Sequence, residues 1–124
     1  MTQKGAQEPK ASELRLNPQK TELSVTFTDG TVSSLSAEFL RVVSPSAEVQ
    51  GHSPSERKLV PGKRDVTIRA IEPIGNYAVR LVFSDGHNTG LYSWHYLYEI
   101  SRRKEDLWNG YLQELAAAGA RRDR

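Results

Sequence analysis

Two Asp-Gly pairs, Asp29-Gly30 and Asp85-Gly86, stand 56 residues apart, and each follows a run in which apolar residues alternate. Leu23, Val25 and Phe27 alternate with Ser24, Thr26 and Thr28 before the first pair; Tyr77, Val79, Leu81 and Phe83 alternate with Ala78, Arg80 and Val82 before the second. A period of two marks half-buried strands. Asp-Gly behind such a run is a strong hairpin signal, because glycine takes positive φ at little steric cost. The 56-residue shift also lays Val25 on Leu81, Phe27 on Phe83 and Leu35 on Leu91. With one inserted residue, Phe39-Leu40 falls on Tyr96-Leu97. Each unit therefore reads strand, turn, strand, helix. Two ribbons that each bury one face, covered by the helices that follow them, predict an α+β fold of two-layer antiparallel construction.

The helices carry their own punctuation. Ser36 and Ser93 are N-cap candidates, and Glu38 lies where the helix dipole favours a negative charge. Phe39, Leu40 and Val43 give the first helix an apolar face, which Pro45 ends. Trp94, Leu97, Tyr98 and Ile100 recur at helical spacing. Residues 105–118 form a last helix, with Trp108, Tyr111, Leu112 and Leu115 on one stripe and Gly119 as its stop. Strand signals also run through Val66, Ile68 and Ala70, with Pro73 and Gly75-Asn76 as a turn. Residues 44–64 contain three prolines and two glycines and read as a long irregular loop, a kind of segment that is usually functional or mobile. Residues 1–12 have almost nothing to bury and read as a disordered tail; residues 119–124 read as a basic tail.

Composition removes several classes of function. With 124 residues the chain suits a single domain. It has no cysteine, which excludes disulfides, thiolate metal sites and a cysteine nucleophile. A net charge of +2 sets up no strong field toward nucleic acid or membrane. No apolar run approaches the roughly 20 residues of a membrane span, and the first residues lack the apolar core of a secretory signal. The expected location is the cytoplasm.

The run Phe83 to Leu97, Phe-Ser-Asp-Gly-His-Asn-Thr-Gly-Leu-Tyr-Ser-Trp-His-Tyr-Leu, resembles the signature of the gamma-butyrobetaine hydroxylase-like N-terminal domain family. Residues 37–41 and 44–52 agree with it in order and spacing, and residues 13–104 are taken as the family domain. The resemblance implies an accessory fold. Relatives occur as stand-alone bacterial proteins, as the N-terminal domain of iron- and 2-oxoglutarate-dependent hydroxylases, and fused to iron–sulfur cluster carrier ATPases. In the hydroxylases the fold carries a zinc site, a Cys-x-Cys-x-x-Cys run plus a histidine. By position these ligands fall on Ser44, Ser46, Val49 and His87. Hydroxyls and a valine do not replace thiolates for Zn²⁺.

The leading expectation is a non-catalytic accessory or protein-interaction domain with no cofactor. Its contact surface would lie around Asp85, His87, Tyr92, Trp94, Ser44, Ser46 and Glu48, against a protein partner of unspecified identity. One alternative is a Zn or Fe site using His87 and His52 with Asp85 or Glu48. Another is weak nucleic-acid binding by Arg57-Lys58, Lys63-Arg64, Arg102-Arg103-Lys104 and the tail arginines. The plainer account of these charges is solvated helix ends and loops. Ser93 with His95, or Ser53 with His52, are too close in sequence for triad geometry, and the Asp85-Gly86-His87 order reverses that of an iron facial triad. No Gly-rich phosphate loop is present.

Overall fold

The computed structural model of the chain describes residues 8–51 and 54–123. Its elements run β1 (Ala11–Leu16), β2 (Glu22–Phe27), β3 (Val32–Ser36), α1 (Ala37–Val42), α2 (Ala47–Gln50), β4 (Ile68–Ile74), β5 (Ala78–Phe83), β6 (Leu91–Ser93), α3 (Trp94–Arg102) and α4 (Lys104–Ala117). The strands make two three-stranded antiparallel sheets, ordered β1-β2-β3 and β4-β5-β6. The fold is α+β.

The duplication extends to individual hydrogen bonds. Phe27 N–H donates to Thr31 C=O at 2.8 Å and Phe83 N–H to His87 C=O at 2.9 Å. Gly30 and Gly86 donate to Phe27 and Phe83 with φ of 90° and 92°. Asp29 Oδ1 accepts from Thr31 N–H, and Asp85 Oδ1 from His87 N–H. Each unit also gains a third strand with an irregular register at its start, Ala11/Glu13 in β1 and Ile68/Ala70 in β4.

The inserted residue lies elsewhere than the sequence match places it. Leu23 pairs with Leu35, whereas its counterpart Val79 pairs with Tyr92. The extra residue is therefore in the loop after Gly86, and every position of β6 is displaced by one. Because side chains alternate along a strand, a one-residue slip reverses the face. Tyr92 takes the buried place of Leu35, and Leu91 turns outward, 48% exposed.

One core joins both units: Leu23, Val25, Phe27, Leu35, Phe39 and Leu40 pack with Ile68, Leu81, Phe83, Tyr92, Leu97 and Ile100. Both serine caps form, with Ser36 Oγ accepting from Phe39 N–H and Ser93 Oγ from Tyr96 N–H, each at 3.0 Å. α4 adds a smaller cluster of Tyr111 and Leu115 against Val42, and Trp108 meets Phe39 edge-on.

Four expectations are corrected. Ala11 and Ser12, assigned to a disordered tail, begin β1; main-chain pairing to β2, which composition does not report, orders them. Pro73 lies inside β4 opposite Val79 rather than in the turn; β4 is an edge strand, where a missing N–H costs no ladder bond. The loop 44–64 contains α2, capped by Ser46 Oγ accepting from Glu48 N–H, and a 3₁₀ turn at Pro54–Glu56. The tail after α4 is fixed to the body, as described below.

Gly110 sits inside α4, and a Cβ there would meet nothing within 4 Å. Gly110→Ala should raise unfolding stability by about 1 kcal/mol, read by denaturant titration. Gly90→Ala should do the reverse, since its Cβ would come 2.5 Å from Ser44 Oγ.

Candidate functional site

The polar side chains of the second hairpin meet the segment that follows α1. Pro45 ends the helix direction and Ser46 caps the next short turn, so Ser44, Ser46 and Glu48 face the loop after Gly86. His87 Nε2 lies 2.8 Å from Ser44 Oγ, and its Nδ1 lies 3.0 Å from Glu48 Oε1. Ser46 Oγ and Thr89 Oγ1 are 2.6 Å apart, and Gln50 Nε2 donates to Ser44 C=O. Gly90 leaves room for the Ser44 hydroxyl, a close approach that only a residue without Cβ permits.

Beside this chain lies an ionic hub. Asp85 Oδ2 receives Arg41 Nε at 2.8 Å and Lys63 Nζ at 2.7 Å. Burial alone would raise the Asp85 carboxyl; the Lys63 ammonium, the His87 N–H and the Arg41 guanidinium outweigh it and hold the pKa at about 2. His87 is pushed below its ordinary value, first by burial and then by the nearby Arg41 charge, against the opposing pull of Glu48. The neutral imidazole is thus the form this site favours. Tyr92 closes the site from below: its hydroxyl donates to Leu40 C=O at 2.5 Å, and burial drives its pKa upward.

The structure brings together Ser44, Ser46, Glu48, Asp85, His87 and, beneath them, Tyr92. Val49 is buried on the same short turn. Trp94 stands apart, its Nε1–H donating to Asn76 C=O at 2.7 Å. His52 and Ser53 lie outside the described residues. Four residues expected on a contact surface are interior: Ser44, Ser46, His87 and Tyr92 are buried. They shape the surface from within, because their polar atoms are satisfied inside the fold. In the sequence Lys63 stands out only as one of a basic pair, and Arg41 and Thr89 only as members of the family motifs; cation and hydroxyl partners from distant segments leave no local signal of this contact.

The donor set does not fit zinc. Two of its four positions are hydroxyls and one is a valine. Two ligands of one tetrahedral zinc ion, each about 2.0 Å from it, stand roughly 3.3 Å apart. Ser44 Oγ and His87 Nε2 are at direct hydrogen-bond distance instead, and both imidazole nitrogens are engaged. Among the described residues no three His, Cys, Asp or Glu side chains converge as a metal site requires.

Ser44, His87 and Glu48 do form a Ser–His–carboxylate chain, which was not visible in the sequence because His87 lies 43 and 39 residues from its two partners. A nucleophile must reach its substrate. Ser44 has no exposed surface, and its Oγ already accepts from Ser46 N–H.

Several of the basic residues named for nucleic-acid binding are paired within the fold. Arg57 pairs with Glu114, Lys63 with Asp85, Arg64 with Asp123, Arg102 with Glu99 and Arg122 with Glu38. Among the described residues no helix is long and apolar enough to cross a membrane.

A duplicated three-strand-and-helix unit, closed by a hydrogen-bonded histidine at its second turn, defines a small α+β domain of the kind the hairpin signature resembles. The model of the family described as gamma-butyrobetaine hydroxylase-like, N-terminal, matches residues 14–98, and the chain belongs to that family. Two proteins with NMR solution structures are similar along nearly their whole length. One is 46% identical over 94% of this chain and 92% of its own, the other 48% identical over 98% and 91%; both have a TM-score of 0.80. A crystal structure of a protein of unknown function from Acidithiobacillus ferrooxidans ATCC 23270, of the DUF971 family, is 37% identical over 74% of this chain and 92% of that one, with a TM-score of 0.62. No curated protein matches.

The hub sets an acid limit. A carboxyl whose folded pKa is depressed stabilises the fold above its unfolded value near 4, and that contribution is lost as pH falls toward 2. Asp85→Asn should therefore flatten the stability profile between about pH 4 and pH 2, with a screened loss on the order of 1 kcal/mol at neutral pH. His87 acts in the same direction higher up. Its folded pKa is lowered, so wild-type stability should fall as pH drops below about 6.5. His87→Gln should remove that slope, read by urea unfolding at stepped pH. Excess EDTA should leave the thermal midpoint of the purified protein unchanged.

Proposed function

We propose that the chain is a non-catalytic accessory domain that docks another protein in the cytoplasm, in the neighbourhood of iron-enzyme or iron–sulfur metabolism that the family resemblance implies. Exposed apolar side chains on the short edge strand β6 and in the turn before β5 carry this reading. Leu91 is 48% exposed and Tyr77 58%, and half-buried Trp94 donates its backbone N–H to Tyr77 C=O. β6 is an edge, so its outer main-chain groups are also available. Aromatic residues beside an open strand edge are a common composition for a protein contact. The chemically versatile residues nearby, Ser44 and His87, are instead locked within the fold.

Tyr77→Ser and Leu91→Ser should each fold with a wild-type thermal midpoint. Each should reduce capture of the specific partner from native-level extracts by about tenfold or more. Undiminished capture by both folded variants would remove β6 as the docking edge. The Ser44–His87–Glu48 geometry supplies the opposing test. A fluorophosphonate probe should leave Ser44 unlabelled in the native protein, and stoichiometric labelling at Ser44 would make the domain a hydrolase.

A further inference from the structure

The residues after α4 lie across the body of the protein as an extended strap. Gly119 turns the chain with φ of 66°, and Ala120 packs on the small cluster of α4. Gly62 N–H donates to Arg121 C=O at 2.9 Å, and Arg64 N–H to Arg122 C=O at 3.1 Å. Arg122 then reaches inward. Its guanidinium makes two bonds to the Glu38 carboxylate, 2.9 and 2.7 Å, and lies 5.1 Å over the Trp108 ring.

This is a built guanidinium site. Glu38 is only 6% exposed, and Arg122 is its charge partner. A planar fork on a carboxylate with an aromatic face above is the geometry that favours arginine over lysine. Beside it opens a cleft of about 500 Å³, whose charged lining includes Glu22, Glu38 and Asp65 against Arg64 and Arg122. With Arg122 withdrawn, three carboxylates would face one cation there. Beyond the Ala120 anchor on α4, the strap is otherwise held by two main-chain bonds and by the exposed Arg64–Asp123 pair, contacts worth little individually. A bare Glu38 would be costly, so the strap leaves readily only when another cation replaces Arg122.

We propose that Glu38, Trp108 and the 62–64 backbone form a recognition site for an extended, arginine-bearing peptide segment of another protein, which the strap occupies in cis. The main-chain donors Gly62 and Arg64 serve any extended peptide; the Glu38–Trp108 notch selects its arginine. The strap lowers the apparent affinity for an outside peptide by the fraction of time it stays closed. This site is separate from the β6 edge, and neither assignment depends on the other.

The test uses the full chain and a capped peptide of the strap's own sequence, Ala-Arg-Arg-Asp, followed by NMR shift titration. Arg122→Ala should bind the peptide saturably, with shifts around Glu38, Trp108 and residues 62–64, and at least about tenfold more tightly than wild type. A peptide with its second arginine replaced by alanine should not bind, nor should the Glu38→Gln/Arg122→Ala pair bind the original. Absence of saturable shifts in folded Arg122→Ala, or equal binding of both peptides, overturns the site. Should Arg122→Ala not fold, Arg122→Lys keeps the cation but loses the fork. The arginine peptide should then displace the lysine, and failure to do so overturns the proposal equally. Wild-type dimerisation that disappears in Arg122→Lys would place a second copy's strap in the cleft and overturn the assignment to a different protein.

Discussion

The Asp85 carboxylate joins three parts of the chain that share no hydrogen-bonded strand. Its Oδ1 closes its own hairpin turn through His87 N–H. Its Oδ2 holds Arg41 at the end of α1 and Lys63 at the end of the long loop. A partly buried carboxylate facing two cations and an amide is stabilised in its charged form, and each partner in turn has its charge neutralised by Asp85. The result is that α1 of the first unit, the second hairpin and the loop between the units are pinned at one point. The Ser44–His87–Glu48 chain can then form beside it, because Arg41 and Asp85 have already fixed the relative positions of residues 44 and 87. Arg41 Nη1 is buried without a hydrogen-bond partner among the described residues, a cost that the neutralised guanidinium charge makes tolerable.

The parts of this arrangement that were legible in the sequence are those set by local chemistry. Asp-Gly turns, serine caps, alternating strands and the long α4 each depend on residues within one turn or one strand, so the letters carry the signal, although Leu112, expected on the apolar stripe of α4, is exposed. The parts that were not legible depend on where the chain has been brought. Leu35 and Leu91 align as letters, yet one faces the core and the other solvent, because the inserted residue in the loop shifts β6 by one. Gly90 reads as an isolated turn glycine, whereas its role is steric relief for a serine 46 positions earlier. The arginines after α4 read as a solvated tail because nothing local marks Glu38 as a buried carboxylate in need of a cation. For the same reason the sequence named His87, Ser44, Ser46 and Glu48 as a group but placed most of them on the surface instead of inside it.

Comparison of the two turns separates what the hairpin requires from what has been added to it. Asp29 and Asp85 perform the same backbone task, and that task alone accounts for an aspartate before each glycine. Beyond it they diverge. Asp29 is exposed and accepts from the Tyr98 hydroxyl, which tethers the first turn to α3. Asp85 gathers Arg41 and Lys63, which tethers the second turn to α1 and the loop. Each turn is thus tied to the helix of the other unit, so neither unit's hairpin is fixed without the other's helix. A duplicated scaffold locked in this reciprocal way has little freedom to rearrange around a ligand at its centre. Recognition is better sought at its margins, where the β6 edge and the strap over Glu38 leave groups that the core does not use.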